Sequence, residues 1–250
     1  MEGSLTKELT PVTQAFLDSI LRLHPRVAAF DCDGTLWAGD AGERFFDWEF
    51  RQDAIFTDPG QREALSRFWR KRYAAYKRGE VDETTMCGEM VTLHKGIAEG
   101  TLLDASIRFF DEFFVLQIFP EMRELIRRLQ HNGCDVWVVS SSNEWVIRAG
   151  MRHFAIPENR VLAASVKLDN GIATDHLTRV PSGSGKAEAL RDAVGKQIDV
   201  AFGNSRWDVE LLEVARHAFA VNPNPDLESH ARKQGWQIYF PDGTARRASL

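Results

Sequence analysis

The chain has 250 residues, with 31 Lys and Arg against 36 Asp and Glu, a formal charge of −5. Hydrophobic residues make up 44% and charged residues 27%, proportions that exclude disordered and collagen-like structure. An acidic balance argues against nucleic-acid binding, which needs concentrated positive charge, and leaves room for a local site for one phosphate. No apolar run approaches the ~18 residues of a membrane span, and residues 1–13 lack the apolar core of a secretion signal. The cysteines, Cys32, Cys87 and Cys134, are widely spaced and form no CxxC or disulfide framework. A reducing cytoplasm is the location these features predict.

The first predicted strand covers residues 27–30. Further short apolar runs at 135–140, 160–165, 198–203, 217–221 and 236–240 carry no polar alternation, as strands covered on both faces do. Helical spacing at 121–131, 144–153, 185–194 and 208–216 places helices between them, so the pattern is α/β with a parallel sheet. Residues 38–119 break the alternation. They are helix-like, clearest at 62–78 and 84–93, and rich in aromatics such as Phe45, Phe46, Trp48 and Phe50. About 80 residues is far more than a crossover needs, which predicts an inserted helical subdomain. Asp169-Asn170-Gly171 marks a hairpin or loop near 166–178. Residues 1–10 and 241–250 read as loose ends.

Ligands of open α/β sheets bind outside the carboxyl ends of the strands. The first strand ends in Asp31-Cys32-Asp33-Gly34-Thr35. Two carboxylates brought together by a turn can divide the work of nucleophile and proton donor, and they suit Mg²⁺, a hard cation. The second strand ends in Ser140-Ser141-Ser142-Asn143, hydroxyls at the start of a helix where anions bind. Lys186 opens a later helix after flexible glycines. It is not a P-loop lysine, because that motif needs Gly at 180 and Ser or Thr at 187, where Val180 and Ala187 stand. The fourth strand runs into Gly203-Asn204 and then Asp208. Taken singly, each segment also reads as a polar turn, a helix cap or a surface lysine.

In this order and after these strands, the four segments resemble the haloacid dehalogenase (HAD) superfamily of phosphohydrolases, most of all its phosphoserine-phosphatase-like branch. The resemblance implies a Rossmann-like parallel sheet with helices on both faces and an inserted α-helical C1-type cap. The core would be residues 1–37 and 120–250, and the cap 38–119. It implies an Mg²⁺-dependent phosphatase with Asp31 as the nucleophile that forms an aspartyl-phosphate and Asp33 as the acid and base. Ser140, Ser141 and Lys186 would hold phosphoryl oxygens, Thr35 would buttress Asp33 beside the turn at Gly34, and Asp31, Asp33, Asn204 and Asp208 would hold the metal. Dehalogenase members lack the second Asp, so dehalogenation is disfavoured. Asn204 stands where the family carries an Asp, which predicts weaker Mg²⁺ binding. It also keeps a phospholigand sensor open as an alternative, beside a phosphotransferase using the same intermediate.

The expected substrate is a small phosphorylated metabolite, with phosphoserine, phosphocholine and phosphoethanolamine as examples. Asp40 lies nine residues after Asp31, where phosphoserine phosphatases carry a Glu that binds the substrate amine, so Asp40 or Glu43 is a candidate for a cationic group. Phe46, Trp145 and Trp207 are candidate specificity residues, the aromatics also reading as cap core. A substrate carboxylate would call for an arginine such as Arg44 or Arg51. Sequence leaves the oligomeric state open.

Overall fold

The computed structural model describes residues 9–242. Its strands are β1 (Val27–Phe30), β2 (Asp135–Asn143), β3 (Val161–Asp169), β4 (Ile172–Arg179), β5 (Ile198–Gly203), β6 (Ala215–Val221) and β7 (Gln237–Tyr239). They form one sheet in the order β4-β3-β2-β1-β5-β6-β7, parallel throughout except for the β3–β4 pair. The predicted hairpin turn joins that pair: Asn170 and Gly171 both take positive φ, 49° and 78°, as a two-residue turn requires.

Alternate strand residues face opposite sides. Ala28, Phe30, Val138 and Phe202 join one core with α1 (Pro11–Leu21), α6 (Pro120–His131) and α7 (Glu144–Met151). Val27, Ala29, Val139 and Ala201 join another with α8 (Ser184–Val194), α9 (Val209–Glu213) and α10 (Pro225–Gln234). The sheet is thus covered on both faces. The spacing of Met122, Leu125, Ile126 and Leu129 gives α6 a continuous apolar stripe, and all four are fully buried. The helix expected at 208–216 is shorter, because Ala215 leaves it to pair with Ile198 in the sheet. The expected loose ends fall mostly outside the described residues; within them, Thr13 holds Asp242 at 3.1 Å.

Four α-helices lie between β1 and α6: α2 (Ala41–Glu49), α3 (Pro59–Lys77), α4 (Glu83–Thr92) and α5 (Glu99–Phe109). The first three start on aspartate caps, Asp40, Asp58 and Asp82, each accepting from a backbone N–H three residues on. Phe45, Phe46, Trp48, Phe50, Phe56 and Trp69 are buried among them, as is a Glu49–His94 pair at 2.8 Å. The link from α4 to α5 pairs with the β3–β4 hairpin through Gly96 N to Ala173 O and Ala173 N to Ile97 O, at 2.8 and 2.9 Å. Among the described residues no helix is long and apolar enough to cross a membrane.

Candidate active site

β1 lies between β2 and β5, so the chain after it stands where the strand order switches sides, the usual place for a ligand crevice. A cavity of about 630 Å³ opens there, lined by Asp31, Asp33, Ser140, Lys186 and Asn204 among others. Segments far apart in sequence meet at it because their strands are neighbours.

Asp31 extends the ladder by one bond, its N–H reaching Phe202 O at 2.9 Å. The chain then turns. Thr35 and Leu36 both donate backbone N–H groups to Cys32 O, and this tight turn brings the Thr35 hydroxyl back to Asp31 Oδ2 at 2.8 Å. The expected Thr35–Asp33 buttress is therefore corrected: Thr35 serves Asp31, four residues before it. Lys186 donates to the other Asp31 oxygen at 2.7 Å and to Asp208 Oδ1 at 2.6 Å. Burial works against the lysine's charge, but the Asp208 and Asp31 carboxylates together raise its pKa above the ordinary value. Burial and the Asp208 charge push the Asp31 carboxyl up, and Lys186 and Thr35 oppose them.

Asp33 is held by other groups. Its Oδ1 accepts from Trp37 Nε1 at 2.7 Å and Ala41 N at 2.6 Å, and its Oδ2 from the Ser142 hydroxyl at 2.7 Å. Burial and the nearby Asp40 push this carboxyl up to about 8, against the bonds from Ala41 and Trp37. An indole and a backbone N–H can only donate, whereas a hydroxyl can also accept. A proton on Asp33 therefore belongs on Oδ2, facing Ser142. A carboxyl kept protonated near neutral pH is suited to general acid work.

Two glycines allow close approaches here. Gly34 has φ +77°, and a Cβ on it would lie 1.8 Å from Asn204 Nδ2. A Cβ on Gly42 would lie 2.4 Å from the Ser142 hydroxyl that binds Asp33.

Ser140 is buried, and its Oγ accepts from Ser142 N at 3.1 Å. Ser141 donates to Pro181 O at 2.9 Å and lines the cavity. Asn143 caps α7, so the strand reaches three residues further than its apolar run. Asp208 does not line the cavity. It is fully buried, and its Oδ2 accepts from Asn204 N, Ser205 N and the Ser205 hydroxyl at 3.0, 2.9 and 3.1 Å. In this arrangement it fixes Lys186 and the Asn204–Ser205 turn.

The residues offer hard oxygen donors of the kind Mg²⁺ takes: the Asp31 carboxylate, the Asp33 main-chain carbonyl and the Asn204 amide. Among the described residues no three His, Cys, Asp or Glu side chains are gathered to hold an ion alone.

Of the candidate specificity residues, Asp40, Glu43 and Trp207 line the cavity. Phe46 and Trp145 do not. Phe46 packs against Phe50, Trp69 and Tyr73, and fully buried Trp145 meets the His94 ring, so burial among aromatics keeps both from the site. Sequence reading missed Trp37, Ser142 and Glu83, and also Asn222, whose amide donates to Gly34 O at 3.2 Å. Ser142 was visible as part of the serine run. Asn222 and Glu83 carried no signal beyond polar residues at a strand end and a helix start.

Residues 28–213 match the family model of haloacid dehalogenase-like hydrolases. A protein named histidinol-phosphatase from Neisseria meningitidis is 23% identical over 222 residues, 85% of this chain and 97% of that protein. Among solved structures, a Bordetella pertussis protein of unknown function superposes with a TM-score of 0.71 at 21% identity, over 86% of this chain and 98% of its own. A substrate-bound phosphoserine phosphatase gives 0.54 at 16% identity, over 86% and 92%. Matched across most of its length, and carrying the second aspartate two residues after the first, the chain belongs to the haloacid dehalogenase-like hydrolase family, as one of its phosphatases.

Proposed function

We propose that the protein is an Mg²⁺-dependent phosphatase of small phosphomonoesters that works through an aspartyl-phosphate on Asp31. The observation that carries this reading is the pair of aspartates on one cavity, Asp31 buried and Asp33 half-buried. Asp31 is joined to a lysine, and Asp33 is held separately by donors that leave Oδ2 able to carry a proton. A relative named histidinol-phosphatase supports it.

An Asp31 oxygen attacks phosphorus as the ester P–O bond breaks, and the leaving oxygen takes the proton from Asp33. Asp33, now a carboxylate, accepts a proton from water as that water attacks phosphorus. The Asp31–phosphorus bond then breaks and inorganic phosphate leaves. Lys186 moves from its contact with Asp31 to the phosphoryl oxygens as charge gathers there, while Asp208 keeps it in place. Mg²⁺, held by Asp31, the Asp33 carbonyl and Asn204, would offset phosphoryl charge when bound. The helices between β1 and α6, residues 38–119, act as the cap, since α2, α3 and α4 supply one wall of the cavity.

The test is phosphate release with Mg²⁺ from a panel of phosphomonoesters, beside the Asp31→Asn variant. Turnover abolished in the variant is the expected result. Equal turnover in both would overturn the assignment of Asp31, and release that persists with a chelator would overturn the metal.

A further inference from the structure

The part of the cavity lined by α2, α3 and α4 and their caps has a charge of its own. Asp40, Glu43 and Glu83 bring three carboxylates to it, and Lys77 brings one ammonium. Lys77 is already engaged: its Nζ lies 3.4 Å from Glu43 and faces the rings of Tyr73 and Tyr76, 5.1 and 5.8 Å from their centres. A tethered cation thus rests on a carboxylate and two ring faces, the setting that attracts ammonium groups. Glu83 is 8% exposed and accepts from the Ser182 hydroxyl at 3.3 Å. Burial pushes its carboxyl up, and the charge that opposes this is Lys186, which already serves Asp31 and Asp208.

Among the described residues no arginine lines the cavity. Arg44 lies over the Phe114 ring at 5.4 Å, and Arg51 pairs with Asp47 at 3.3 Å. A substrate carboxylate would meet three carboxylates there with no guanidinium to receive it.

We infer that the cavity selects phosphomonoesters whose alcohol carries a cationic nitrogen and no carboxylate, with Glu83 as the specificity-determining carboxylate and Tyr73 and Tyr76 as the ring faces beside it. This rests on the phosphatase reading above. The phosphate end lies at Lys186, and Glu83 lines the same cavity, its Oε2 3.5 Å from the Tyr76 hydroxyl. The substrate's cation competes with Lys77 for the rings.

The experiment compares kcat/KM for phosphoethanolamine, glycerol 3-phosphate and phosphoserine, with p-nitrophenyl phosphate as a general reporter of phosphatase chemistry. Phosphoethanolamine is expected to exceed both others by about tenfold or more, the scale of one ion pair removed from water. Glu83→Gln should lower its ratio to glycerol 3-phosphate about tenfold, mainly through KM. Lys77→Met, at an exposed position, should raise that ratio, so the inference does not hang on one variant. Equal or better use of glycerol 3-phosphate or phosphoserine by the wild type would overturn it. Calorimetric binding of the same esters to Asp31→Asn reads the preference without turnover. No hydrolysis of any ester would overturn the phosphatase reading, while the order of affinities would still decide this one.

Discussion

Trp37 donates its indole N–H to Asp33 Oδ1 at 2.7 Å, so the residue that ends the active-site turn also fixes its second carboxyl. Trp37 is fully buried, with Phe110 edge-on to its ring at 5.1 Å. Trp37→Phe keeps most of that packing and removes the donor. Asp33 becomes a carboxylate as it gives up its proton, and hydrogen bonds to charged groups contribute about 1.5–3 kcal/mol, so kcat should fall roughly 10- to 100-fold with little change in KM. Steady-state kinetics on an activated phosphoester checks it. An unchanged kcat would mean that Ala41 and Ser142 suffice to hold Asp33.

Gly34→Ala should cost both stability and activity, for separable reasons. Its positive φ disfavours any side chain, by about 1–2 kcal/mol. Its new Cβ would also collide with the Asn204 amide. Gly235→Ala is the control, since Gly235 has φ +70° and nothing within 4 Å of an added Cβ. Both variants should melt lower, and only Gly34→Ala should lose kcat. Equal kcat losses would show that strain, not contact with Asn204, is responsible.

The core strands and the aspartate pair were legible in the sequence because local rules govern them. A buried parallel strand has to be continuously apolar, and β1 is so from Val27 to Phe30. The catalytic order at the strand ends then follows from topology. The cavity's outer wall was not legible, because contacts across helices decide it. Phe46 and Trp145 have the same composition signal as Trp207, yet burial removes the first two from the site. Glu83 follows an ordinary aspartate cap, and only the approach of α4 to Ser182 gives it meaning. Thr35 was assigned to the wrong aspartate because side-chain direction in a turn is set by backbone angles that spacing does not reveal.

Asn204→Asp should tighten Mg²⁺ binding. The side chain at 204 lines the cavity, and its backbone N–H is already fixed by Asp208, so the substitution changes charge with little change in placement. Hard divalent cations gain from each anionic oxygen. The Mg²⁺ concentration giving half-maximal phosphate release should fall several-fold. An unchanged midpoint would mean that Asn204 does not touch the metal.

Glu144 predicts a pH-dependent term in stability away from the chemistry. Burial raises its carboxyl from the ordinary 4.5 to about 7, only partly opposed by Arg148 and Arg179. Between those values the folded state holds a proton that the unfolded chain has released. The unfolded chain then binds fewer protons, so stability falls as pH rises from about 4.5 to about 7. Above that window the folded protein carries a buried charge at full cost. Glu144→Gln keeps the shape and removes the titration. Its melting temperature relative to wild type should rise by a few degrees between pH 5 and pH 8. Parallel melting curves across that range would show that the Glu144 carboxylate finds compensation in the folded state from Arg148 and Arg179.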